Sequence, residues 1–252
     1  MAAISRKWKA LPRKAKAGIL ILAFIGGGVL GFVIWAETPN PPMQEALDAL
    51  VSDSQVAVST SPHITFTPVG SSPTTGFVFY PGGRVDERSY SPAAREIAKA
   101  GFLVVIVPMP LNLAVFGIDK GREVLNAFPG IAKWAIGGHS LGGSMAAELV
   151  SKDPALFDGL VFWASYPSAD LSALGIAVLS LSASNDGLST RDKISASHSK
   201  LPASATFYEI SGGNHAQFGW YGDQFGDNAA TITRATQQGQ ITAQTISFLA
   251  TL

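Results

Sequence analysis

One short segment of the chain, Gly138–Gly143, carries a serine whose hydroxyl could act as a nucleophile. The segment reads Gly-His-Ser-Leu-Gly-Gly and contains the pattern Gly-x-Ser-x-Gly around Ser140. The apolar run Trp134–Ile136 precedes it, and the helical run Ser144–Val150 follows it. A sharp turn between a strand and a helix lifts such a serine clear of the sheet, and the glycines leave room for it. The segment therefore predicts a nucleophile. The alternative is a tight turn in which the serine only caps the helix.

Two further groups that nucleophilic catalysis requires, a carboxylate and an imidazole, follow Ser140 along the chain. Asp186 comes after the strand-like run Ala177–Ser182, and His215 comes after the strand-like run Thr206–Ile210. Serine, then acid, then histidine is the order expected when the serine occupies such a turn. Because the carboxyl ends of parallel strands share one edge of a sheet, we expect the three side chains to meet there. His215 would accept the serine proton through one ring nitrogen, and Asp186 would hold the other.

Both partners of the serine have competitors within the chain. The other histidines lie in a strand-like segment, in the serine turn itself and on a polar helix (His63, His139 and His198). Asp223 and Asp227 lie in the glycine-rich loop after His215 and compete with Asp186 for the role of the acid. We expect these two aspartates instead to order their own loop through hydrogen bonds to its backbone.

Acyl transfer also needs N–H donors for the oxyanion that develops on the attacked carbonyl. The backbone N–H of Leu141, at the start of the helical run, is the first candidate. The second is the N–H of Gly83, in the turn Pro81–Arg84 that follows the strand-like run Phe77–Tyr80. Arg84 could supply this donor instead or attract an anionic group of a substrate, and an ordinary glycine turn is the alternative to both.

These motifs resemble those of the α/β-hydrolase superfamily, in particular its small, lidless, dienelactone-hydrolase-like branch. The resemblance runs from Val69 to the C-terminus and is carried by Tyr80–Gly83, Gly138–Gly143, the Asp186 loop and Gly213–His215. It implies a sheet of the eight-stranded type flanked by helices, and hydrolysis of an ester, thioester or amide without a cofactor. Dienelactone hydrolases themselves use a cysteine nucleophile. This chain has no cysteine, so their substrate is not carried over.

The remainder of the sequence supplies alternating strands and helices that could position these residues. The runs Leu103–Val107 and Leu160–Trp163 are apolar on both faces, which is typical of central parallel strands. Strands alternating with helices predict an α/β fold with a mostly parallel central sheet flanked by helices. We predict strands at Gly76–Tyr80, Phe102–Pro108, Lys133–Gly137, Leu160–Ala164, Ile176–Ser182 and Thr206–Ile210, with an antiparallel edge pair at Gln55–Ser59 and Ile64–Val69. We predict helices at Pro92–Ala100, Gly117–Ala127, Leu141–Ser151, Thr190–Lys200 and Thr231–Ala250.

Three connections decide how open the site is. Only about ten residues follow Ala164 before the next predicted strand, too few for a cap domain, so we expect an open site. The apolar loop Met109–Phe116 either lines a pocket for an acyl group or serves only packing. The aromatic segment Phe218–Gln224 follows His215 and either closes over a substrate or seals the histidine loop.

The N-terminal part of the chain has the composition of a membrane anchor. Residues 17–36 are uncharged and mostly apolar, long enough for a helix of about 30 Å that spans a bilayer. Six basic residues precede this segment, and none follows it until Arg84 (Arg6, Lys7, Lys9, Arg13, Lys14 and Lys16). The positive-inside rule then places the basic tail, residues 1–16, in the cytoplasm and the catalytic domain outside the cell membrane. A cleaved signal peptide is the alternative, although Ile34 is a poor residue for a cut after Ala36.

The remaining composition limits domains and partners. A linker with a short helix, residues 37–54, leads to the hydrolase domain, residues 55–252. Beyond the anchor, twelve basic residues face eighteen acidic ones, a formal charge of −6, which argues against nucleic acid as a partner. Ala23, Gly27 and Gly31 could let two anchor helices pair, but the sequence leaves the oligomeric state open.

We therefore expect a membrane-anchored serine hydrolase that forms an acyl-enzyme on Ser140 and releases it with water activated by His215. Its expected partners are a small acyl substrate and the lipid bilayer, with no cofactor and no metal. Two alternatives stay open. One is an acyltransferase that uses the same three residues, and the other is an α/β-hydrolase-fold binding module without turnover.

Overall fold

The computed structural model describes residues 12–252, which fall into two compact units. One unit ends at Thr38, and the other is Pro39–Leu252. The described part of the first unit is essentially one long helix, α1 (Arg13–Ala36), with a mean hydropathy of 2.5 over its most apolar window. By length and composition α1 could cross a membrane, and a signal sequence near the N-terminus would look the same. Most of the predicted basic tail, including Arg6, Lys7 and Lys9, lies outside the described residues.

The second unit is built on one sheet of eight strands in the order β1-β2-β4-β3-β5-β6-β7-β8. β2 pairs antiparallel with both β1 and β4, and every other neighbouring pair is parallel. The predicted α/β class and the antiparallel pair at one edge are therefore confirmed. The strands are β1 (Val56–Ser59), β2 (Ile64–Pro68), β3 (Thr75–Tyr80), β4 (Leu103–Ile106), β5 (Lys133–His139), β6 (Gly159–Trp163), β7 (Ala177–Ala183) and β8 (Thr206–Ile210).

Helices cover both faces of this sheet, as the doubly apolar central strands require. In β3, Phe77 and Phe79 face one apolar cluster, while Val78 and Tyr80 face the other. The first cluster also contains residues of α3 and α7, and the second contains residues of α4 and α5. The helices after α1 are α2 (Gln44–Asp48), α3 (Ser91–Lys99), α4 (Lys120–Ala127), α5 (Leu141–Lys152), α6 (Arg191–Ser197) and α7 (Arg234–Leu249).

The observed ends of the elements lie within three residues of the predicted ones. The last helix is one of the largest differences, because α7 begins at Arg234 rather than at Thr231. Thr233 has an extended backbone, with a ψ of 154°, so the helix cannot include it, and the N–H of Thr231 instead donates to the carbonyl of Gly212 at 2.7 Å. Thr233 then caps α7 by accepting a hydrogen bond from the N–H of Thr236.

Candidate active site

Ser140 lies between β5 and α5 in a backbone conformation that side chains rarely adopt. Its φ is 52° and its ψ is −122°, outside the regions open to ordinary residues. Two hydrogen bonds hold this turn: the Ser140 N–H donates to the carbonyl of Trp163 at 3.0 Å, and the Ser165 hydroxyl donates to the Ser140 carbonyl at 2.6 Å. Neighbouring loops therefore maintain the strain at the predicted nucleophile.

The glycines around Ser140 are required by close packing. A Cβ atom on Gly142 would overlap the carbonyl oxygens of Tyr80 and Pro81 at the end of β3. A Cβ atom on Gly143 would lie 2.6 Å from the carbonyl oxygen of Gly138. The pattern that singled out Ser140 in the sequence is thus the one that lets α5 start directly against the sheet.

Strained residues of this kind concentrate at one edge of the sheet. Five non-glycine residues in the described part of the chain have a positive φ: Arg84, Leu111, Asn112, Ser140 and Ala164. All of them lie in connections that follow the strands β3 to β6. Unfavourable backbone geometry persists where the surrounding structure enforces it, most often at functional sites. The carboxyl edge of the sheet is therefore the candidate active site.

His215 and Asp186 meet at this edge. The Nδ1 atom of His215 lies 2.8 Å from Oδ2 of Asp186, and both side chains are fully buried. The other oxygen, Oδ1, accepts the N–H groups of Leu188 and Ser189, each at 2.7 Å. An ionised carboxylate only accepts, so this contact suits an imidazole that carries a proton on Nδ1. Nε2 of His215 is buried and has no hydrogen-bond partner in the described structure, so the structure brings His215 and Asp186 together but shows no hydrogen bond between His215 and the Ser140 hydroxyl.

The imidazole of His139 connects the serine turn to His215. The two rings have centroids 4.5 Å apart, so His215 lies next to the residue that directly precedes Ser140. Nδ1 of His139 lies 2.9 Å from the hydroxyl of Tyr90, which also accepts the N–H of Gly82 at 3.0 Å. Burial, and then the facing His215, lower the pKa of His139 well below its usual value, so His139 stays neutral.

The remaining competitors lie in other surroundings. Burial is the main cause that lowers the pKa of His63, next to β2, and the ring of His198 packs 3.8 Å from that of Phe207. Asp227 accepts the N–H of Asn228 within its own turn, as predicted, but it also accepts the N–H groups of Gly187, in the loop of Asp186, and of Ala216, directly after His215. The described residues contain no group of three His, Cys, Asp or Glu side chains that could hold a metal ion.

The two predicted oxyanion donors lie side by side. A Cβ atom on Gly83 would lie 3.2 Å from Cδ2 of Leu141 and 3.6 Å from its Cβ. The N–H groups of these two residues find no hydrogen-bond acceptor in the described part of the chain. The N–H of Arg84, the competing donor, is already bonded to the carbonyl of Asn112 at 2.8 Å. Of the two candidates in this turn, Gly83 is therefore the one with an available N–H.

Comparison with known proteins identifies the family. Residues 76–239, about two thirds of the chain, match the model of the alpha/beta hydrolase family. The chain belongs to this family. The resemblance seen in the sequence is thereby confirmed at the level of the superfamily, and membership supports a hydrolase.

The structural comparison agrees with the fold of an α/β-hydrolase. The chain is similar to a "predicted CIB-like hydrolase" from Thermoplasma acidophilum, with a TM-score of 0.58 and 16% identity. The match covers 79% of this chain and 98% of that one. At this identity the likeness concerns the fold alone. No curated protein sequence matches the chain.

Two loops of this α/β-hydrolase border the site in different ways. After β4, Ala114 is buried while Val115 and Phe116 are about half exposed, and Leu113 lies beside Gly83. Ala114 therefore packs into the protein, whereas Val115 and Phe116 expose apolar surface to solvent. After His215, Phe218 is buried and stacks on His139 with ring centroids 5.8 Å apart. Of the two roles left open for the aromatic segment, sealing the histidine loop fits this packing.

A segment of the predicted linker pairs with the turn that follows β3. The N–H of Asn40 donates to the carbonyl of Arg84 at 2.7 Å, and the N–H of Asp86 donates to the carbonyl of Asn40 at 3.1 Å. Asn40 thereby forms a parallel bridge with Val85, two residues beyond Gly83. The sequence offered no signal for this pairing, because isolated bridges have no periodic pattern.

Proposed function

We propose that this α/β-hydrolase is a serine hydrolase that cleaves an ester-like bond, with carboxylic esters as the preferred class over thioesters and amides. The observation that supports it best is the buried, hydrogen-bonded pair of His215 and Asp186, whose imidazole lies 4.5 Å from that of His139, the residue directly before Ser140. A binding surface would gain nothing from burying a carboxylate and an imidazole beside a strained serine.

The proposed mechanism gives each of these groups a role. The hydroxyl oxygen of Ser140 attacks the carbonyl carbon of the substrate while Nε2 of His215 takes its proton, and Asp186 stabilises the imidazolium that forms. The N–H groups of Gly83 and Leu141 donate to the oxyanion. The imidazolium then protonates the leaving group, which departs and leaves an acyl-enzyme. A water molecule activated by His215 hydrolyses this intermediate and regenerates the serine.

The test compares Ser140→Ala with Ser151→Ala, a matched change at an exposed position late in α5. Wild type and Ser151→Ala should hydrolyse short p-nitrophenyl esters and react covalently with a fluorophosphonate probe. Ser140→Ala should do neither while remaining folded. Activity that persists in Ser140→Ala contradicts the nucleophile. If wild type itself fails to label, a binding module is favoured, and a dominant ester product at low concentrations of added alcohol favours an acyltransferase.

We also propose that α1 anchors the protein in the cell membrane with the hydrolase unit outside the cytoplasm. The supporting features are its 24 residues, its strong hydropathy and the basic side chains of Arg13, Lys14 and Lys16 at its N-terminal end. Protease added to intact cells should then digest the hydrolase unit, and carbonate washing should not release the chain from membranes. A released protein that begins after residue 36 would show a cleaved signal peptide instead.

A further inference from the structure

A single carboxylate, that of Asp227, binds the backbone next to both members of the buried pair. Its Oδ1 accepts the N–H of Gly187 at 3.0 Å, and its Oδ2 accepts the N–H of Ala216 at 2.8 Å. Gly187 directly follows Asp186, and Ala216 directly follows His215. Asp227 thus joins two loops that come from different strands, β7 and β8.

The segment that carries Asp227 is packed directly against the loop of Asp186. A Cβ atom on Gly187 would lie 2.6 Å from the carbonyl oxygen of Gly226 and 3.0 Å from the nitrogen of Asn228. Gly226 has a φ of +87°, which glycine adopts without strain. Oδ1 of Asp227 also accepts the N–H of Asn228 at 2.9 Å, which fixes the carboxylate within its own turn. The contact is therefore close and leaves the carboxylate little freedom.

The same two loops are also joined on the other side of the pair. There the N–H of Asn185 donates to the carbonyl of Gly213 at 2.9 Å, before each loop reaches its catalytic candidate. Asp227 supplies the matching link just after Asp186 and His215. Asp186 and His215 therefore each lie between two links that join their loops: the Asn185–Gly213 hydrogen bond before them and the carboxylate of Asp227 after them.

We propose that Asp227 is a positioning residue that sets the distance between Asp186 and His215, an inference that rests on the proposed function. A carboxylate suits this role because it has only acceptors and meets three backbone N–H groups. An asparagine would turn its NH₂ group toward at least one of these donors. An alanine would leave all three without an acceptor and release the loops from each other.

The kinetic test compares Asp227→Ala and Asp227→Asn with Asp223→Asn, a matched change in the same exposed loop. The full-length protein is titrated with a fluorophosphonate so that kcat refers to labelled sites. Asp227→Ala should lose about 10- to 100-fold in kcat, the scale of misplacement by an ångström. KM should change less than about threefold, because substrate binding is not altered. The kcat of Asp227→Asn should lie between those of Asp227→Ala and wild type, and the kcat of Asp223→Asn should equal that of wild type. An unchanged kcat per labelled site in the Asp227 variants would overturn the proposal, since a purely structural role lowers only the number of active sites.

A second readout does not depend on turnover. The proton on Nδ1 of His215, shared with Asp186 and shielded from water, should give a separate low-field proton resonance in the NMR spectrum. This resonance should shift or broaden in both Asp227 variants and stay unchanged in Asp223→Asn. If Asp227→Ala does not fold, Asp227→Asn alone is compared with wild type and Asp223→Asn. A resonance unaffected by Asp227→Asn contradicts the positioning role, whereas a wild type that shows the resonance without esterase activity contradicts the proposed function alone.

Discussion

Replacing Asp186 by asparagine should invert the hydrogen bond to His215 without changing the shape of the site. Oδ1 accepts two backbone N–H groups at 2.7 Å, so the oxygen of the new amide must occupy that position. The NH₂ group then takes the place of Oδ2, 2.8 Å from Nδ1 of His215, and donates to it. His215 must therefore carry its proton on Nε2, where it can no longer accept the proton of Ser140.

The size of the effect follows from this wrong tautomer. A serine hydrolase restricted in this way retains the oxyanion donors but loses its base, and kcat should fall by about 10³- to 10⁴-fold. At about 1.36 kcal/mol per tenfold, this corresponds to roughly 4–5.5 kcal/mol of transition-state stabilisation. The two hydrogen bonds to the loop backbone survive, so the midpoint of thermal unfolding should change by no more than about 5 °C.

The assay is hydrolysis of a short p-nitrophenyl ester, with kcat referred to sites titrated by a fluorophosphonate. Asp170→Asn, at a position whose carboxylate accepts only within its own turn, is the control and should retain wild-type kcat. A kcat for Asp186→Asn within tenfold of wild type would show that the proton transfer does not depend on the Asp186 oxygen.

Two further predictions concern stability. Gly142→Ala pushes a methyl group into backbone carbonyls and should lower the free energy of unfolding by about 1–3 kcal/mol or more. Gly239→Ala lies within α7, where the new methyl group would meet no neighbouring element within 4 Å, and should raise the free energy of unfolding by about 0.5–1 kcal/mol. Thermal unfolding followed by circular dichroism measures both, and equal shifts would contradict the packing argument. Tyr90→Phe removes the partner of the Gly82 N–H and of Nδ1 of His139, so the free energy of unfolding should fall by about 1–3 kcal/mol. Urea denaturation that finds no loss would mean that neither group depends on this hydroxyl.

The fold was predictable from the sequence because its signals are local. The apolar runs of the central strands identify the parallel sheet, and Gly-x-Ser-x-Gly marks the turn at Ser140. Asp186 and His215 could be chosen because each follows a strand and the order of residues suits the turn. Parallel strands have their carboxyl ends at the same edge of the sheet. The parallel sheet was therefore almost enough to place Ser140, Asp186 and His215 at one edge.

The hydrogen bonds that hold the candidate site in place could not be predicted, because they join residues far apart in the sequence with no motif or periodicity in common. The hydrogen bond between Tyr90 and His139 spans 49 positions, and its tyrosine lies in a short 3₁₀ turn before α3. Asp227 looked like a residue that orders only its own loop, since nothing in the sequence shows that Gly187 packs against it. The late start of α7 has a similar origin, because the backbone of Thr231 is tied to Gly212, nineteen residues earlier in the chain.

The pairing of Asn40 with the turn after β3 bears on how a soluble form of this hydrolase should be prepared. A chain shortened to the predicted domain start at residue 55 would lack the strand-like partner of Arg84–Asp86 and would free the backbone next to Gly83. Cutting ahead of Pro39 instead removes the apolar helix and leaves this small bridge intact. The choice of a first residue between 39 and 55 thus decides whether the purified hydrolase keeps the backbone pairing next to Gly83.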